Sequence, residues 1–362
     1  MKILSVIGAR PQFIKAATVS RQFLAMGIEE ILLHTGQHFD SNMSEVFFEE
    51  MGIPDPKYNL EIHSISHGAM TGKMLAGIED IILKEKPTLI LVYGDTNSTI
   101  AGALAARKLN YPVAHVEAGL RSFNMAMPEE INRILTDRIS NLLFCPTDTA
   151  IANLKNEGFD NFPCNIYKTG DVMQDAALFY GTISGSKSDI LERLDLTHPF
   201  VLATIHRQEN TDNPRVLKEI IDALNLINHE QQVIVPMHPR TSKILNRTKI
   251  NIQFTIIPPV GYFDMVELLK HCSLVLTDSG GVQKEAFFFG KCCVTLRKET
   301  EWKELVENGY NMLGSTDSEF IMIAYQEMIN RKPDFSKDLY GSGKAAERIT
   351  EIISNWGSTI NA

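Results

Sequence analysis

No stretch of the sequence approaches the ~20 consecutive apolar residues that a membrane-spanning helix requires, so an integral membrane protein of helical type is excluded. Basic residues are outnumbered: 35 Lys and Arg stand against 44 Asp and Glu, a formal net charge of −9. A nucleic-acid binder of this size carries a basic excess, and this chain does not, which argues against that class of partner. Cysteine is sparse. Cys145, Cys164, Cys272, Cys292 and Cys293 are odd in number and show no metal-ligand spacing. A disulfide framework and a bound metal are therefore not expected. The cysteines lie mostly beside apolar runs, as buried reduced thiols do, which points to the cytoplasm. The opening Met1–Gly8 is too short in its apolar part for a signal peptide and reads as a first strand. Internal repeats and low-complexity tracts are missing as well.

What is present is ordinary for a globular enzyme: 44% hydrophobic and 22% charged residues in 362 positions. That length suits two domains of roughly 170 residues. Apolar runs predict strands at 2–7, 31–35, 89–93, 113–116, 142–145 and 165–168. Helical periodicity between them predicts helices near 11–26, 42–51, 67–85, 97–109, 129–140 and 147–157. The second half repeats the alternation. Strands are predicted at 200–204, 232–235, 254–257, 274–277, 292–296 and 311–313, and helices near 213–229, 262–271, 281–289, 317–330 and 343–356. Alternation of this kind implies α/β architecture, with two doubly wound, mostly parallel sheets. The polar segment 170–198, with Gly181, Ser184, Gly185 and Ser186, reads as the linker. The domains expected are 1–170 and 190–342, with a ligand cleft between them.

In such sheets ligands bind beyond the carboxyl ends of the strands, so the residues there carry the chemistry. After the first strand, Gly8-Ala9-Arg10-Pro11 places Arg10 and Lys15 near a helix N-terminus that favours an anion. Gly-x-Gly-x-x-Gly is lacking. Asp95 follows Gly94 after the strand at 89–93 and also reads as a plain helix N-cap. Glu117 in His115-Val116-Glu117-Ala118-Gly119-Leu120-Arg121 is pressed against an apolar strand end, where a carboxylate is costly unless paired or used. Glu129 opens a helix in Pro128-Glu129-Glu130, where acids are common. Together Asp95, Glu117 and Glu129 form a carboxylate set on one sheet edge, and grouped carboxylates raise one another's pKa values toward neutral acid/base work.

The second half places His206 and Arg207 after one strand and His238 after the next. The sharpest element is Thr277-Asp278-Ser279-Gly280-Gly281-Val282-Gln283-Lys284-Glu285. Its glycines let backbone N–H groups approach a diphosphate, Ser279 adds a hydroxyl, and Glu285 can accept hydrogen bonds from a ribose diol. Without Lys-Ser/Thr it is not a P-loop, which disfavours triphosphate hydrolysis.

Six blocks in register resemble the non-hydrolysing UDP-N-acetylglucosamine 2-epimerase family, from Gly8 to about Arg348. They are Gly8-x-Arg10-Pro11-x-x-x-Lys15, Gly94-Asp95-Thr96, His115–Arg121, Pro128–Arg133, His206-Arg207-x-Glu209-Asn210 and Thr277–Glu285. The resemblance implies a GT-B-like pair of Rossmann domains, usually a homodimer, with the helix near 343–356 packing back on the first domain. It implies a UDP-sugar substrate, no cofactor, and a part in making surface polysaccharide precursors. The implied reaction removes the proton on carbon 2, expels UDP by anti elimination to a 2-acetamidoglucal, reprotonates from the other face and adds UDP back. Asp95, Glu117, Glu129 and His206 are its catalytic candidates. Arg10, Lys15, Arg207, His238, Ser279, Gly280, Gly281 and Glu285 are its binding candidates.

Departures from the family pattern concern the sugar. Met265 stands where many members have an aromatic near uracil, and Trp302 replaces a ligand-contacting Arg. The substrate implied by the family is UDP-GlcNAc, interconverted with UDP-ManNAc, or a 3-acetamido or uronate derivative, and these departures resemble the branch acting on UDP-2,3-diacetamido glucuronic acid or related modified sugars. Gln37 and His38 match a second, activating site of bacterial members, whereas Phe39-Asp40-Ser41 and Lys73 do not. A hydrolysing epimerase, a GT-B glycosyltransferase and a non-catalytic nucleotide-sugar sensor are the alternatives.

Overall fold

The computed structural model describes residues 1–37, 52, 54–237, 239–248 and 250–360. The chain divides into two compact units, one of Met1–Ala176 with the chain from Asp338 onward, the other Ala177–Lys337.

In the first unit the strands are β1 (Lys2–Ile7), β2 (Glu29–His34), β3 (Tyr58–Asn59), β4 (Leu89–Tyr93), β5 (Val113–Val116), β6 (Leu142–Cys145) and β7 (Asn165–Lys168). They form one sheet in the order β3-β2-β1-β4-β5-β6-β7, and every pairing is parallel. Strands β4, β5 and β6 are buried along their whole length, as the continuous apolar runs of a sheet covered on both faces require. The order reverses direction between β1 and β4, and that switch point is where a doubly wound sheet opens a crevice.

The second unit repeats this plan. Its strands β8 (Val201–Thr204), β9 (Val233–Pro236), β10 (Thr255–Ile257), β11 (Leu274–Thr277), β12 (Cys293–Thr295) and β13 (Asn311–Leu313) lie in the order β10-β9-β8-β11-β12-β13, again all parallel. Its switch point falls between β8 and β11.

Each strand expected from an apolar run is present, displaced at most two residues at an end. The linker reading of 170–198 is corrected. Val172–Lys187 is a helix, and the division between the units falls inside it. Met173, Ala176, Ala177 and Tyr180 are buried along it at helical spacing. The small polar residues that suggested a loop serve close packing. A Cβ on Gly181 would come within 3.0 Å of the Phe289 ring. The buried Ser184 hydroxyl donates to Glu267 at 2.5 Å. A helix at Pro239–Thr248 was not expected from the sequence, and the helix expected near 42–51 lies outside the described residues.

The chain from Asp338 onward completes the first unit. Helix Ala345–Ile360 packs on helix Arg10–Ala25. Asp175 caps its start, accepting from the Ala345 and Ala346 amides at 3.1 and 2.7 Å. Gly170, at φ +94, lets the returning backbone in: a Cβ there would lie 2.5 Å from the Tyr340 carbonyl.

Candidate active site

Local sequence at the first unit's switch point builds a rigid platform. Gln12 is buried one turn into its helix and spans the crevice. Its carbonyl accepts from the Gly8 and Ala9 amides at 2.8 and 3.0 Å. Its amide donates to the Tyr93 carbonyl at 2.7 Å and to the Thr96 and Thr99 hydroxyls at 3.0 Å. This ties the turn after β1 to the turn after β4. A carboxylate in its place would have no proton for the latter three. Gly8 has no room for a side chain, since a Cβ would fall 2.0 Å from the Thr35 hydroxyl.

Asp95 is not the cap of the helix that follows it. Thr96 takes that role, accepting from the Thr99 amide at 3.3 Å. The Asp95 carboxylate is thereby released to pair with Arg133. Asn132 holds the Asp95 carbonyl at 3.0 Å. Arg133 also pairs with Glu130, whose carboxylate accepts from the Ser122 and Phe123 amides at 3.0 and 2.9 Å. Burial pushes the Glu130 carboxyl up, but those amides and Arg133 leave it below the usual carboxylate range. Glu129, next to it, is exposed on the first turn of the same helix.

Glu117 leaves β5 with a backbone φ of +74, a left-handed conformation that a non-glycine residue rarely adopts. Its carboxylate pairs with the ammonium of Lys15, and both side chains are about nine-tenths buried. Gly94, at φ +64, lies against the pair; a Cβ there would be 3.3 Å from Glu117 Oε2 and 3.4 Å from Lys15 Nζ. The expected cluster of mutually repelling carboxylates is thus divided by cations, Lys15 on Glu117 and Arg133 on Asp95. Lys15, a binding candidate from the sequence, rests on the Glu117 carboxylate in this structure.

In the second unit, Asp278 organises the loops at the β8/β11 switch point. The carboxylate is fully buried and accepts from the amides of His206 (3.0 Å) and Arg207 (3.0 Å) and from the Asn210 side chain (3.1 Å). The His206 ring also meets it, with Nδ1 3.0 Å from Oδ1. Burial pushes this carboxyl up, and the His206 ring and the two amides outweigh that and hold it below the ordinary range. The rest of His206 is exposed.

Ser279 caps helix Gly280–Phe288, and the two glycines are its first turn. Gly280 is half-buried and Gly281 exposed, and their N–H groups belong to the first turn, whose donors have no acceptor within the helix. Glu301 lies against Gly280 and pairs with Arg297 at 2.9 Å, while Arg207 approaches the same carboxylate at 4.0 Å. Glu285 is buried one turn along.

Trp302 is 4% exposed, and its indole Nε1 lies beside the glycine turn, 3.5 Å from where a Cβ on Gly280 would fall. The ammonium of Lys284 sits 4.0 Å from its ring centroid. Met265 is half-buried against a core that includes Leu268, Leu269 and Cys272. His238 and His38 lie outside the described residues, as does the side chain of Arg10. Gln37 accepts from the Ser98 amide and hydroxyl at 3.1 and 2.8 Å, and Lys73 is exposed on helix His67–Glu85. Among the described residues no group of three or more His, Cys, Asp or Glu is placed to hold a metal, and no helix is long and apolar enough to cross a membrane.

Two parallel sheets of Rossmann order, with glycine turns, cations and carboxylates at their switch points, define a nucleotide-binding α/β protein of the GT-B-like class. A family model for UDP-N-acetylglucosamine 2-epimerase matches residues 24–354, and the chain belongs to that family of isomerases. It is 54% identical over 356 residues to the UDP-2,3-diacetamido-2,3-dideoxy-D-glucuronate 2-epimerase of Pseudomonas aeruginosa, across 98% of this chain and 99% of that one. A UDP-N-acetylglucosamine 2-epimerase homolog of Methanococcus maripaludis is 49% identical, across 98% and 100% of the two chains. The crystal structure of Methanocaldococcus jannaschii UDP-GlcNAc 2-epimerase with UDP-GlcNAc and UDP matches with a TM-score of 0.90 at 42% identity, covering 98% of this chain and 100% of that one.

Proposed function

We propose that the protein inverts carbon 2 of a UDP-linked 2-acetamido sugar, with UDP-2,3-diacetamido-2,3-dideoxy-D-glucuronate as its substrate. The observation that carries the reaction is the buried Lys15–Glu117 pair, set beside Gly94 at a strand end on a backbone of unusual φ. A carboxylate held in place is what abstraction of a proton next to C1 needs. The substrate follows from the 54% identity to an enzyme named for it, sustained over both chains. Replacement of the family's Arg by Trp302 supports the same branch.

In this mechanism the set Asp95, Glu117 and Glu129 supplies the base on one face of the sugar and the acid on the other. The C2–H electron pair forms the C1–C2 double bond as the C1–O bond to UDP breaks. The departing diphosphate gathers negative charge. The first-turn N–H groups of Gly280 and Gly281, the Ser279 hydroxyl, His206, Arg207 and Arg10 stabilise that charge. Glu285 binds the ribose. The glucal is then protonated at C2 from the opposite face, and UDP adds back at C1.

Incubation in D₂O with the diacetamido uronate, and separately with UDP-GlcNAc, tests this. The expected result is the C2 epimer of the uronate, still UDP-linked and carrying deuterium at C2, at a rate at least about tenfold above that for UDP-GlcNAc. UDP and free sugar as products would make the enzyme hydrolysing. Absence of exchange with either substrate would remove the epimerase reading.

The working form in this reading is a homodimer in the cytoplasm. The five free cysteines suit a reducing compartment. Helix Pro128–Ile139 is inverted in polarity: it buries Glu130, Arg133, Thr136 and Asp137 and exposes Ile131 and Leu135, and Phe123 and Met125 in the segment before it are exposed too. An apolar face turned to solvent marks an interaction surface. Leu135→Glu should halve the particle mass in light scattering; an unchanged mass would clear this face of the role.

A further inference from the structure

Glu117 is held in a conformation that costs of order 1–3 kcal/mol and persists only where its surroundings over-determine it. The surroundings here are specific. Glu117 and Ala118 both donate their amides to the Phe144 carbonyl, at 3.1 and 3.0 Å, and the Gly94 amide takes the Val116 carbonyl at 3.0 Å. Behind them lies a buried polar network. His115 Nδ1 is 2.7 Å from Asp137 Oδ1, and His115 Nε2 is 2.7 Å from the Gly94 carbonyl. The ring thus bridges the Asp137 carboxylate and the Gly94 carbonyl. The second Asp137 oxygen accepts from the Gly119 amide at 3.1 Å and from Arg121 at 2.7 Å. Arg121 holds the Leu120 carbonyl at 2.7 Å and the Glu157 carboxylate at 2.6 and 2.8 Å; Asn153 holds the Gly119 carbonyl at 3.0 Å.

The network therefore joins the two turns that carry acid/base candidates: Gly94 immediately before Asp95, and the 117–121 turn. We propose that His115 and Asp137 are positioning residues for the epimerisation, fixing Glu117 relative to Asp95 from inside the first unit. The proposal rests on the acid/base role given to Glu117 above. Neither side chain is exposed at all, so neither touches substrate, and both act through the turns they fasten.

Asp137→Asn is the decisive variant. Asp137 accepts from three donors on its two oxygens, and an amide, whichever way it flips, turns its NH₂ toward a donor. The expected result is a kcat lower by roughly 10- to 100-fold with KM and the Kd for UDP within about twofold, the pattern of a misplaced group rather than a lost ligand contact. Amide exchange in the 117–121 peptide should accelerate at the same time. Glu157→Gln is the control. It loosens the outer end of the network, leaves the His115–Asp137 pair intact, and should lower the melting temperature without lowering kcat.

Equal kcat in wild type and Asp137→Asn overturns the proposal. So does a kcat that merely tracks the melting temperature through both variants. His115→Gln replaces Asp137→Asn if the latter does not fold, and its expected pattern is the same. If the wild type turns over neither substrate, the functional reading fails first. Exchange in 117–121 then still decides the structural claim, and unchanged protection in Asp137→Asn overturns it.

Discussion

Glu117→Gln is expected to lower kcat by roughly two to four orders of magnitude, the usual worth of a positioned acid or base, with UDP affinity unchanged within about twofold. The side chain keeps its shape, so the turn and its contacts survive, but the amide cannot take a proton. It also leaves the Lys15 ammonium without its buried partner, at a cost in stability that should appear as a lower melting temperature. Single-turnover measurement of deuterium entry at carbon 2 isolates the chemical step, and titration with UDP isolates binding. A variant that exchanges deuterium at the wild-type rate would take Glu117 out of the chemistry and leave Asp95 and Glu129 to carry it. A variant that loses UDP as well would mean that the pair's main work is structural.

The second large effect belongs to the other unit. Asp278→Ala strands the His206 and Arg207 amides and the Asn210 side chain, which its buried carboxylate satisfies. Unsatisfied donors cost about 1–3 kcal/mol each, offset in part because the buried carboxylate's own desolvation disappears with it. A net loss of about 3 kcal/mol in chemical denaturation is the expected outcome, with UDP affinity at least about tenfold weaker because the loop carrying His206 and Arg207 loses its anchor. The same group sets an acid limit. Its folded pKa lies below the unfolded carboxylate value of about 3.9. The stability it contributes is therefore complete above about pH 4 and drains away as pH falls through the folded value. The wild type should lose more stability than Asp278→Ala between pH 5 and about pH 3. Parallel losses would show that Asp278 is not an acid-sensitive anchor.

Much of this could be read from the sequence because it is local. Apolar runs give strands, and the residue after a strand lies at the sheet's carboxyl edge, so Asp95, Glu117, His206 and the Ser279-Gly280-Gly281 turn fall at the strand ends their positions predict. Partners were not legible. Arg133 reaches Asp95 across 38 residues of sequence and Asp137 reaches His115 across 22, and no periodicity specifies either meeting. A signal for Asp137 did exist: it is a poor helix former on the same face as Arg133, four residues on, and both are buried. The helix at Val172–Lys187 is hidden in the sequence for the opposite reason. Composition suggested a flexible link, whereas Gly181 and Ser184 are small because something packs against them.

The first unit is assembled from two stretches of chain separated by the whole of the second, Ala177–Lys337. Helix Arg10–Ala25 emerges early from the ribosome, yet the helix beginning at Ala345 that covers it is translated only after every strand of both sheets. For that interval the face of the early helix is bare, while the second unit, continuous in sequence, already has all of its own residues. Domains generally fold as units during synthesis, N-terminal first. Here the order is inverted by connectivity: the half that carries Asp95 and Glu117 is begun first and finished last.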